Sequence, residues 1–125
     1  MITVDCGISG LHEVANAPKS LDIIITDHHT VPEVLPPAYA IINAKQRDCG
    51  YPFKHLSGVG IAFKLCQALE QREPGRLPKW QELTELAALG TVADIVPLIG
   101  ETAEPGAPWP EGYGTTKLGC PACFD

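Results

Sequence analysis

The chain has 125 residues, 45% hydrophobic and 19% charged, a globular composition sized for one small domain and not for a multidomain machine. Two Trp, three Tyr and three Phe are too few for stacking on successive nucleobases, and no apolar run approaches the roughly 20 residues of a membrane span. The formal charge of −6 is unevenly spread: residues 45–79 hold seven basic and three acidic side chains, a net +4, against −10 elsewhere. A basic face beside an acidic pocket suits a metal site that receives a phosphate chain, although a solvated helix accounts for the same charges. The opening MITVDCG lacks the basic segment and cleavable apolar region of a secretory signal, so a cytoplasmic location is expected.

Ile2-Thr3-Val4-Asp5 reads as the end of a buried strand, followed by a turn at 6–10 and a short helix around Leu11 to Ala17. Leu21 to Thr26, with three consecutive isoleucines, forms a second strand covered on both faces. After a connection broken by Pro32, Pro36 and Pro37, Tyr39 to Asn43 makes a third. Strand, helix, strand at this spacing argues for an α/β fold with a parallel sheet and flanking helices. Met1 opens directly onto a core strand, which leads us to expect a further strand upstream.

The second half is helical. Ser57 can cap a helix to about Arg72, with Val59, Phe63, Cys66 and Leu69 near helical period and Glu73-Pro74-Gly75 ending it. Another helix is expected from Lys79 or Trp80 to Leu89, with Gly90 and Pro97 bracketing a less regular segment that contains Asp94. Residues 102–125 form an irregular tail rich in Gly and Pro, with no period of either kind. Five cysteines at 6, 49, 66, 120 and 123, an odd number without a secretion signal, read as free thiols. Cys120 and Cys123 have the spacing of half a zinc site or a redox pair, but no second pair and no following helix support either.

Asp5 ends the first strand and Asp27-His28-His29 follow the second, so adjacent strands deliver carboxylates and imidazoles to one edge of the sheet, where open α/β folds bind ligands. Asp94 sits among Ala93, Ile95 and Val96, where a lone charge is costly unless paired or bound to a metal. Such a donor set suits Mn²⁺, with Zn²⁺ or Fe²⁺ as alternatives. Helix capping by Asp5, surface histidines, and a lysine partner or a helix-capping place for Asp94 are the plainer readings of each residue alone. His12 and His55 lack any such setting.

TVDCGIS at 3–9, ITDHH at 25–29 and GTVADIVPL at 90–98 resemble motifs II, III and IV of the DHH phosphoesterase superfamily. NAKQRDCGYPFKHLSGVGIAFKL at 43–65 and the ADIVPL segment resemble the RecJ branch, the single-strand-specific DNA exonucleases, and not the small-nucleotide or pyrophosphatase branches. The resemblance covers residues 2–101 and implies a partial DHH domain over 1–101. It implies a two-metal Mn²⁺ centre, with Mg²⁺ as an alternative, hydrolysing single-stranded DNA from the 5′ end in repair and recombination. By resemblance Asp5, His28 and Asp94 are metal ligands, His29 faces the scissile phosphate, and Asp27 orients a histidine. Lys45, Arg47, Lys54 and Lys64 are candidates for guiding the DNA backbone. The family's motif I, two aspartates on an earlier strand, has no counterpart here, so weak or absent activity is expected of the chain alone. Residues 102–114 depart from the family and TTKLGCPA at 115–122 returns to it, as a shifted and restored reading frame would produce. A non-catalytic interaction module and a small-nucleotide phosphodiesterase remain open alternatives.

Overall fold

The computed structural model describes residues 1–76 and 78–103. Three parallel strands, β1 (Ile2–Val4), β2 (Ile24–Thr26) and β3 (Ala40–Ile42), lie side by side in chain order. In register, Val4 faces Thr26 and Thr26 faces Ile42. The ladder continues one step past the strands, because the amide of Asp5 donates to Thr26 O at 2.9 Å and that of Asp27 to Ile42 O at 3.0 Å. Both β2 and β3 are shorter than the apolar runs that announce them. The residues before Ile24 belong to the connection, where the amides of Tyr39 and Ala40 reach Ile23 O.

The α/β architecture expected from sequence is present. A five-residue helix, α1 (Leu11–Ala15), follows β1, and the main helix α2 (Gly58–Arg72) crosses the sheet. Side chains alternate across a strand, so Ile24 and Ile42 share a face; they pack with Tyr51, Leu56, Ile61 and Leu65 in the core beneath α2. Ser57 caps α2 as its sequence suggests, its hydroxyl accepting from the Gly60 amide at 3.1 Å. Beyond a single 3-10 turn at Trp80–Leu83, α3 (Thr84–Ala93) packs on α2, and Trp80 meets Phe63 edge to face.

Two expectations are corrected. The last helix does not end before Gly90 but runs through it to Ala93, because a Cβ at Gly90 would stand 2.6 Å from Val59 Cγ1; the glycine permits close helix packing instead of stopping the helix. The first strand is not buried: Ile2 and Val4 are 56% and 50% exposed, since β1 has a strand neighbour on one side only among the described residues. A second 3-10 turn, Gly100–Thr102, closes the described segment with Thr102 buried. Most of the tail at 102–125, the frame-shift expectation and Cys120 and Cys123 lie outside the described residues; Cys6, Cys49 and Cys66 are free thiols. Among the described residues no helix is long and apolar enough to cross a membrane.

Candidate metal centre

The register sets three polar residues in one row at the carboxyl edge: Asp5 after β1, Asp27 after β2 and Asn43 after β3. Asp27 is 1% exposed and closed on all sides. Its Oδ2 accepts the Ile8 amide at 2.8 Å, and its Oδ1 accepts the amides of His28 (2.8 Å) and His29 (3.1 Å). Burial by itself raises the pKa of this carboxyl, but these amides and the His29 ring outweigh it and hold the group below its ordinary value of 3.8. An ionised carboxylate only accepts, so His29 Nδ1, 2.7 Å from Asp27 Oδ1, is the donor. That assigns the tautomer and leaves Nε2 of the exposed His29 ring available.

His28 points the other way. Its Nε2 lies 3.0 Å from Asp5 Oδ1 and 3.3 Å from Asp94 Oδ2, yet hydrogen-bonds to neither. His28 Nε2 and Asp94 Oδ2 are both buried without a hydrogen-bond partner. Buried polar atoms left so are costly, and two of them facing one another with a third oxygen nearby is the arrangement a shared cation would satisfy. One ligand atom each from Asp5, His28 and His29 lie within 4.8 Å of one another. Two carboxylates with imidazole fit a divalent transition metal such as Mn²⁺.

The backbone is shaped to bring these groups together. Asp5 adopts φ +65°, a left-handed conformation, and its side chain rests on the first residue of α2. A Cβ at Gly58 would stand 2.3 Å from Asp5 Oδ1, so only glycine admits the carboxylate there. Asp94 is the C-cap of α3, its amide donating to Gly90 O at 3.0 Å. A carboxylate at the negative end of a helix dipole favours a nearby cation. Ser57 Oγ and Thr91 Oγ1, 3.1 Å apart and buried, fix α3 against the start of α2.

Sequence reasoning passed over Asn43 and Gly58. The 2%-exposed Asn43 donates from Nδ2 to His29 O at 3.0 Å and accepts the Lys45 amide, so it secures the loop carrying both histidines. Its signal was its place, the third polar residue ending an apolar strand. Among the basic candidates, Lys45 and Arg47 are exposed, and Lys54 donates to Cys49 O at 2.8 Å. Lys64 departs from expectation: it is buried, with Nζ 2.9 Å from Glu101 Oε2, which also accepts the Tyr51 hydroxyl at 2.6 Å. Burial and then the Glu101 carboxylate push the Tyr51 phenol well above its usual range. Enclosed in that cluster, Lys64 ties α2 to residue 101 and is withdrawn from the set of exposed cations.

The family model for the DHH family, N-terminal domain, matches residues 1–91. The chain belongs to the DHH family. It is 53% identical over 102 residues to the single-stranded-DNA-specific exonuclease RecJ of Bacillus subtilis, covering 81% of this chain and 12% of the relative. Identity to RecJ of Escherichia coli is 46% over 108 residues, covering 78% and 19%. The DHH-family chain thus spans less than a fifth of the length of these curated relatives. Among solved structures, an exonuclease RecJ bound to manganese superposes with a TM-score of 0.66 at 35% identity, over 82% of this chain and 26% of that one. RecJ of Thermus thermophilus in complex with Mn²⁺ matches with the same score at 38% identity, over 82% and 15%.

Proposed function

We propose that this DHH-family chain is the metal-binding segment of a RecJ-type exonuclease that hydrolyses single-stranded DNA from the 5′ end with Mn²⁺. The observation that carries the reading is the unpartnered pair His28 Nε2 and Asp94 Oδ2, with Asp5 Oδ1 completing the donor set. Support also comes from the manganese-bound structures that the chain resembles. Asp5, His28 and Asp94 would hold the metal, which when bound supplies Lewis-acid chemistry on a phosphodiester. Asp27 fixes His29 by its Nδ1–H, so that Nε2 faces outward, where the neutral ring would accept a proton and the imidazolium would donate to a phosphate oxygen. Exposed Lys45 and Arg47, which follow β3 and Asn43, guide the strand by its phosphates, with Lys54, half-buried and donating to Cys49 O, as a further contact. Residues 1–101 carry this role, in the cytoplasm, in DNA repair and recombination.

Three ligands among the described residues are fewer than a dinuclear centre needs, so the chain alone binds Mn²⁺ weakly and turns over slowly. Calorimetry with Mn²⁺ should detect binding by the chain and its loss in His28→Ala. Equal binding by both proteins would remove the metal centre, and brisk hydrolysis of labelled single strands would refute the incomplete ligand count.

A further inference from the structure

The segments flanking the candidate metal group differ in kind. The loop after β3 offers exposed Lys45 and Arg47. The strap from Ile95 to Gly100, leaving Asp94 at the end of α3, has no charged residue before Glu101. It holds its apolar side chains outward: Ile95 is 89% exposed, the most of any large hydrophobic residue among those described, with Leu98 at 56% and Ile99 at 53%.

The strap is firmly fixed. At one end Asp94 is tied into α3. At the other, Glu101 is held by Lys64 and Tyr51. Between them the Ile99 amide donates to Thr102 Oγ1 at 2.9 Å, and that hydroxyl reaches back to Pro97 O at 2.5 Å. Gly100, at φ +50°, lies against the Phe53 ring. Ile95 itself adopts φ +56° just past the helix end, a position where glycine or asparagine is the ordinary occupant and a β-branched residue is strained. A strained and almost fully exposed isoleucine next to a metal-ligating carboxylate serves the fold poorly, which points to a ligand.

Resting on the nuclease reading above, we infer that Ile95, Leu98 and Ile99 form an aliphatic contact surface for an unpaired nucleobase of the strand whose phosphate lies at Asp5, His28 and Asp94. A single strand presents charge along its backbone and apolar faces on its bases, and the two flanks of this site offer the matching pair of surfaces. Aliphatic contact of this kind needs no aromatic residue, consistent with the chain's aromatic-poor composition.

The test is fluorescence anisotropy of the full chain in Mn²⁺ with two labelled strands of equal length, one a deoxyoligonucleotide and one an abasic deoxyribose-phosphate chain. The base-bearing strand should bind about tenfold tighter, the preference expected from burying part of an aliphatic side chain. Ile95→Asn, which suits the left-handed backbone, and Leu98→Ser should each reduce that preference, with Mn²⁺ affinity unchanged in Leu98→Ser. Equal binding of both strands by the unaltered chain, or undiminished preference in both variants, would overturn the inference and leave the strap to a protein partner. Absence of Mn²⁺-dependent binding to either strand would instead strike at the nuclease reading, and the strap's role would fall with it.

Discussion

β1 and β2 are three-residue strands in matched register, each followed by an aspartate, yet the two carboxylates live in opposite conditions. Asp27, beyond the central strand, is sealed and accepts four hydrogen bonds. Asp5, beyond the edge strand, has a side chain 52% exposed on a left-handed backbone. Equivalent places on neighbouring strands therefore give one sealed carboxylate that holds His29 and one exposed carboxylate that belongs to the proposed metal site. The surroundings of each strand make the difference: β2 has a strand on either side and the loop holding Ile8 over its end, whereas β1 is open on one side among the described residues.

Asp27 is the more sensitive of the two carboxylates. Asp27→Ala strands three backbone amide donors, frees the His29 ring and should cost about 3–5 kcal/mol in urea denaturation. The pH dependence has a definite sign, because a carboxyl held below its ordinary pKa stabilises the fold above the ordinary carboxylate range. That contribution should fade as pH drops through the lowered folded value, and the corresponding part of the acid slope should vanish in Asp27→Ala. Gly58→Ala comes next. Its methyl would collide with the Asp5 carboxylate, costing about 1–3 kcal/mol by overpacking and weakening Mn²⁺ binding measured by calorimetry. The smallest effect on stability belongs to Asp5→Asn, within about 0.5 kcal/mol, while Mn²⁺ affinity falls by about 10–100-fold. A large loss of stability in Asp5→Asn would erase the distinction between the two aspartates.

The ends of β1 and β2 are legible in the sequence because an apolar run halted by a charge marks both the strand and the edge where its carboxylate sits. Ser57 is legible for a similar reason, as a hydroxyl directly ahead of a helical period. Gly90 misleads, because local pattern shows a glycine as a break, whereas its cause is Val59 on another helix, 31 residues earlier. Lys64 misleads likewise: its partner Glu101 lies on a later turn, and nothing in either neighbourhood announces the pair. The role of Asn43 depends on the alignment of three strands, which a linear reading supplies only once their order is known. What escapes the sequence is partnership across distance.

The meeting of Ser57 and Thr91 has a mechanical consequence. One hydroxyl starts the helix on which Asp5 rests and also touches the helix that carries Asp94. The two carboxylates that face His28 therefore share a hinge pin, so that a shift of either helix changes the spacing of both from the imidazole.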